Sequence, residues 1–276
     1  MMIIIFILLS TFANLYSFLE FRNGEKFDLV GDFGELKEDV LSLGIRLKAL
    51  STSVSIFSNN YKILYSKSKV REHDRSVLII FDSDLRLNVE FFGDFVYKNE
   101  KIFLNDDSKI FDIVVVDQHK EQIINPLFVI KNRGNLNVNS YLSLKDILLR
   151  GKDDAVLELH RDLNLDVEFD NYGLVLSFLK KDNSTSRSLK GIYYFEVFLN
   201  NRSVFRSDFQ SISLDDNSYV VSGGKNYNLN FLNIKRNDGN IEINNLKFTK
   251  GRNEIKIRYG DVYETENNLI YRFTLG

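Results

Sequence analysis

After an apolar beginning, the chain is built of short hydrophobic segments separated by polar turns. Val77-Leu78-Ile79-Ile80-Phe81 and Ile113-Val114-Val115-Val116 are continuous apolar runs of strand length. Residues 88–97 and 191–205 carry the β-branched and aromatic side chains that suit a pleated, half-buried surface. Leu246, Phe248, Ile255, Ile257 and Tyr259 alternate with polar residues on either side of Lys250-Gly251-Arg252-Asn253, which predicts a hairpin reversing there. Further turns are expected at Asn59-Asn60, Asp106-Asp107, Gly223-Gly224 and Asp238-Gly239-Asn240. This regular spacing predicts an all-β chain, mainly antiparallel. Residues 143–151 fit two descriptions: a helix capped by Ser143 and ended by Gly151, or a strand with Leu142, Leu144 and the 147–149 run inside. The polar stretch Lys131-Asn132-Arg133-Gly134-Asn135, after the turn Asn125-Pro126-Leu127, marks the expected domain junction. It divides residues 18–130 from 131–276, each within domain size.

Residues 1–9 form an unbroken apolar run followed by Ser10 and Thr11. The run is short of a bilayer-spanning helix and fits the core of a signal peptide, residues 1–17, with cleavage after Ala13 or Ser17. No Lys or Arg precedes it, which leaves an uncleaved N-terminal anchor as the alternative. Either reading predicts export to the periplasm or cell envelope, with no transmembrane segment left if the peptide is removed.

Composition narrows the chemistry. Hydrophobic residues make up 44% and charged residues 27% of 276, an ordinary globular balance. The 36 basic and 38 acidic residues leave a net charge of −2, which gives no electrostatic footprint for nucleic acid. The absence of Cys excludes disulfides, thiolate metal sites and cysteine nucleophiles. A three-histidine metal site would need all of His73, His119 and His160. His160-Arg161-Asp162 and Asp32-Phe33-Gly34 look like fragments of a kinase signature, but no glycine-rich phosphate loop accompanies them. Asp153-Asp154 and Asp215-Asp216 read as solvated turn residues. Phe91-Phe92 and Tyr193-Tyr194-Phe195 read as sheet packing.

Three segments are more informative in order. The first is Asp32-Phe33-Gly34-Glu35-Leu36-Lys37, continuing through Ser42 to Arg46. The second is Val89-Glu90-Phe91-Phe92-Gly93-Asp94. The third is Ile110-Phe111-Asp112-Ile113-Val114-Val115-Val116-Asp117, followed by Ile124-Asn125-Pro126-Leu127. In order and spacing, residues 30–130 resemble the lysostaphin/LytM-type zinc endopeptidases that cut peptidoglycan cross-bridges. The second half resembles a domain that follows such peptidases in some bacteria, through Gly191-Ile192-Tyr193-Tyr194-Phe195-Glu196-Val197, Phe209, Asp238-Gly239-Asn240-Ile241 and the segment from Asn253 to Phe273. The resemblance implies a LytM-like β-sheet domain followed by a β-sandwich-like C-terminal domain.

The departures decide the functional expectation. The resemblance places the zinc ligands at Ser42, Arg46 and Asp112, and the two histidines that assist catalysis at Gly93 and Ile110. Ser is a poor zinc ligand, and Arg is a permanent cation with no lone pair to give. Asp112 alone does not hold a catalytic zinc, and without a metal-bound water this hydrolysis has no nucleophile. The expectation is a pseudoenzyme with no metal, no cofactor and no catalytic residue. It would act by binding peptidoglycan or a cell-wall hydrolase, with Ser42, Arg46 and Asp112 as groove candidates. The alternatives are a plain wall-binding module and an active zinc endopeptidase with relocated ligands. Arg46 is expected either to form a two-point pair with Asp112 in the vacated metal position or to face solvent.

Overall fold

The computed structural model describes residues 19–22, 24–37, 40–57, 61–67, 75–104, 109–137, 142–151, 156–160, 165–167, 172–180, 194–215, 218–223, 228–230, 240–244, 246–260 and 266–276. The expected leader at 1–17, the turns at 59–60, 106–107 and 238–239, Asp153-Asp154 and His73 lie outside the described residues. The described chain is all-β and mainly antiparallel, and its regular non-strand elements are the 3-10 turns Pro126–Phe128 and Arg133–Asn135. No helix among the described residues is long and apolar enough to cross a membrane. The chain divides into two compact units, Met1–Phe33 with Ser42–Asn139, and Gly34–Leu41 with Ser140–Gly276. The division after Asn139 lies beyond the polar stretch at 131–135, which is ordered by the Arg133–Asn135 turn and stays in the first unit.

In the first unit Ile110–Asp117 is the central strand. One edge pairs with Leu87–Gly93; the other pairs with Ile45–Ala49 over its first half and with Gln122–Ile124 near its end. Ser76–Asp82 and then Tyr61–Lys67 extend the sheet on the first side. Phe27–Gly31 extends it on the other, with Leu136–Asn137 joined in parallel. Strict alternation turns Phe111, Ile113 and Val115 to the core, beside Ile45, Leu47, Leu78, Ile80, Val89 and Phe91. Burying each such side chain contributes roughly 1.5–3 kcal/mol, which is why register here is fixed by one face. Phe21, Phe27 and Phe111 continue this core, with ring centroids 4.4 and 6.1 Å apart in succession. A smaller sheet of Glu20–Phe21, Ser53–Phe57, Lys101–Leu104 and Phe95–Lys98 adds Val54 and Ile102.

Two buried carboxylates at the ends of strands are turn formers. Asp82 Oδ1 accepts from the amides of Asp84 and Leu85, and Asp117 Oδ1 accepts from those of His119 and Lys120. Each closes a turn finished by a residue at positive φ, Arg86 at 56° and Glu121 at 52°.

In the second unit one sheet runs through Asn228–Asn230, Ser218–Gly223, Arg202–Asp215, Tyr194–Leu199, Gly251–Gly260 and Glu266–Leu275, with Leu165–Val167 joined in parallel. A second sheet has the order Val156–Glu158, Leu142–Arg150, Gly173–Lys180, Ile241–Ile243. The stretch 143–151 is therefore strand through Arg150, pairing with Gly173–Lys180 and burying Leu144, Ile147 and Leu149. The Tyr259 hydroxyl accepts the Leu144 amide at 3.4 Å, tying the two sheets together.

The hairpin expected at Lys250-Gly251-Arg252-Asn253 does not form. Gly251–Gly260 is one strand, paired along its whole length with Glu266–Leu275, so the reversal falls between 260 and 266. Asn253 explains the difference. Its amide donates to the carbonyls of Thr249 and Gly251 and accepts from the Thr249 amide, so a side chain takes the backbone groups that a hairpin turn would pair.

Candidate functional site

The five positions singled out by the sequence all lie in the first unit, around the start of the central strand. Asp112 is its third residue, and the ladder sets Arg46 of Ile45–Ala49 directly opposite. Both side chains stand on the face away from Phe111 and Ile113, because both occupy the polar phase of the alternation. Arg46 Nε donates to Asp112 Oδ1 at 2.6 Å and Nη2 donates to Oδ2 at 3.2 Å, a two-point pair.

A third residue completes the cluster. Arg75, immediately before Ser76–Asp82, donates from Nη2 to Asp112 Oδ2 at 2.8 Å. Its strand is held at that level by Ser76, whose buried hydroxyl donates to the Phe95 carbonyl at 2.6 Å and whose register partner is Gly93. One carboxylate thus serves two guanidiniums, and the charges of these three side chains sum to +1. The guanidinium side chains are 52% and 55% exposed, against 17% for Asp112. The acid is sheltered while the bases are open to a solute.

The other three positions contribute shape. Ile110 is half-buried at the first position of the central strand, opposite Lys48. Gly93 is buried opposite Phe111, and a Cβ there would stand 3.0 Å from Phe111 Cβ and 3.1 Å from the Ile110 carbonyl oxygen, so the two strands approach closely at this position. Ser42 is half-buried, and its hydroxyl donates to the Gly44 carbonyl at 2.9 Å, so it points into its own turn. The structure therefore brings Arg46 and Asp112 together, with Gly93 and Ile110 beside them, and engages Ser42 locally.

This donor set does not suit zinc. Both oxygens of Asp112 already face guanidinium N–H groups, and Arg46 stands as a cation where the resemblance implies a ligand. Among the described residues no three His, Asp or Glu side chains are grouped to hold a metal ion. His119 is exposed in the turn after the central strand, and His160 lies in the second unit, 3.9 Å from Glu158.

A model of an uncharacterised protein family matches residues 141–276, the greater part of the second unit. No curated protein matches the chain. The arginine–aspartate cluster lies outside the matched segment.

The sequence missed Arg75. It ends a polar run with no periodicity, and only the pairing of Ser76 with Gly93 brings it to Asp112. The same face also holds residues of three neighbouring strands. Val114 and Val116 on the central strand, Asn88, Glu90 and Phe92 on the next, and Val77, Ile79 and Phe81 beyond are half-buried or buried in adjacent rows.

Proposed function

We propose that this chain is a non-catalytic, peptidase-like binding protein of the bacterial envelope that holds a carboxylate of a wall peptide, or of a cell-wall hydrolase, at Arg46 and Arg75. The observation that carries this reading is the cluster around Asp112. A guanidinium pair half open to solvent, anchored by one sheltered carboxylate, presents planar donor forks suited to a carboxylate. Support also comes from where the cluster lies: the motif resemblance puts metal ligands at Arg46 and Asp112, and a fixed positive charge in place of a metal keeps attraction for an anion without activating water. The apolar beginning of the chain agrees with export.

The test is co-sedimentation of the purified chain with peptidoglycan sacculi, alongside capture from envelope extract. Retention on either that falls at least tenfold in Arg46→Ala/Arg75→Ala, in a variant that is still folded, is the expected result. Equal retention of the double variant, or retention on neither, overturns the reading. Elemental analysis showing one tightly held zinc per chain would also overturn it, in favour of a hydrolase.

A further inference from the structure

On the same face of the first unit, next to the arginine cluster, two acceptors stand without a donor. No hydrogen bond or ion pair among the described residues reaches the Glu90 carboxyl, and its burial pushes its pKa up. Two residues earlier Asn88 is 8% exposed, and its Oδ1 is buried with no hydrogen-bond partner. Residues two apart on a strand share a face about 7 Å apart. The register then supplies the walls: Ile79 and Val114 flank Glu90, while Phe81 and Val116 flank Asn88. A lone carboxylate and an orphan carbonyl oxygen among four apolar side chains are costly to leave unpaired.

We infer that this face binds a primary ammonium carried on an aliphatic stem, as in a lysine-type side chain, with Glu90 as its counter-ion. The chemistry selects this class. An ammonium has three donors and no acceptor, matching an ionised carboxylate that only accepts. Its methylene stem gains by lying on Ile79, Phe81, Val114 and Val116, as lysine stems do on apolar surface. A hard divalent cation would need six or more oxygens, which one carboxylate does not supply. An anion would meet Glu90 unfavourably. These residues are distinct from the guanidinium cluster, so the inference does not depend on carboxylate binding there. A ligand carrying both groups would span from Asp112 to the row of Val114, two residues on along the central strand.

The probe is 1-pentylammonium titrated into the 15N-labelled full chain, read from backbone amide shifts, with 1-pentanol as the neutral isostere and propionate as a carboxylate lacking an amine. Saturable shifts confined to the strands of Ile79, Glu90 and Val114 are expected with pentylammonium, and at least tenfold weaker binding with pentanol. Glu90→Gln, which keeps shape and removes the charge, should weaken pentylammonium at least tenfold. No saturable shift, equal binding of pentanol, or an unaffected Glu90→Gln overturns the inference. Propionate reports separately on Arg46 and Arg75. Its binding without that of pentylammonium refutes the ammonium site alone, and the reverse pattern refutes only the carboxylate reading.

Discussion

The ring of Tyr194 lies across Gly260: a Cβ built on that glycine would stand 2.5 Å from Tyr194 Cε1. The two residues are register partners on Tyr194–Leu199 and Gly251–Gly260, so the aromatic ring covers the strand where a side chain is missing. From there the Tyr194 hydroxyl donates to Glu266 Oε2 at 2.8 Å. Gly260→Ala should cost about 1–3 kcal/mol, the usual range for overpacking, because the ring must leave its rotamer. In a Tyr194→Ala background the same substitution should cost far less, since nothing is left to displace. Urea denaturation of the four proteins of this cycle checks the coupling; additive costs would refute the steric account.

Asn253 should be among the least replaceable polar residues of the second unit. It is 3% exposed, and its Oδ1 also accepts from the Asn200 amide at 3.1 Å. Asn253→Ala removes the bonds to the carbonyls of exposed Thr249 and half-buried Gly251, at roughly 0.5–1.5 kcal/mol for each hydrogen bond lost. Asn253→Asp preserves the shape but sets oxygen against those same carbonyls, so it too should destabilise. Thermal melting of both variants decides: an Asn253→Asp protein as stable as the parent would show that donation by Nδ2 is unimportant.

Glu266 and Glu90 are carboxyls shifted in opposite senses. Hydrogen bonding from Arg258 holds Glu266 well below the usual range, at about 2. A folded pKa below the unfolded one stabilises the fold above the unfolded value, near 4.3, and that contribution is lost as pH falls towards 2. Glu266 is 38% exposed, so solvent screening limits the effect to about 1 kcal/mol or less. Burial raises Glu90 instead, so its ionised form costs stability at neutral pH and protonation recovers it. Glu266→Gln should therefore flatten the loss of stability between pH 4 and pH 2, whereas Glu90→Gln should raise stability at pH 7. Melting temperature against pH for the two variants is the measurement, and a destabilised Glu90→Gln at pH 7 would remove the case for an uncompensated carboxylate.

The sequence shows the strands best where burial and alternation agree. The Ile113–Val116 run is the heart of the central strand because Ile113 and Val115 face a core that leaves neither exposed. Residues 143–151 were legible only as two possibilities, since Leu and Lys serve helix and strand alike and pairing with Gly173–Lys180 decides. Leu246 and Phe248 misled the reading of the last hairpin because buried alternation also occurs outside a ladder. At the candidate site, Arg46 and Asp112 were accessible through motif order. Arg75, Glu90 and Asn88 were not, because each matters through register with a neighbouring strand rather than through its own sequence context.

The Asp112 cluster makes a prediction that separates stability from binding. Each guanidinium is about half exposed, so Arg46→Ala or Arg75→Ala alone should cost under about 1 kcal/mol: solvent screens the lost pair, and Asp112 keeps one cation. The double substitution takes both cations from an acid that is 17% exposed, so it should cost more than the sum of the two. Asp112→Asn acts in the opposite direction on binding. It leaves two like charges without their shared carboxylate, a loss to the fold, yet it turns both forks towards an incoming anion. Propionate should therefore bind Asp112→Asn more tightly than the parent and Arg46→Ala/Arg75→Ala least of all, while the melting temperature places the parent above both. If Asp112→Asn weakens propionate as much as loss of the arginines does, then Asp112 orients the guanidiniums and they do not form an anion site in its absence.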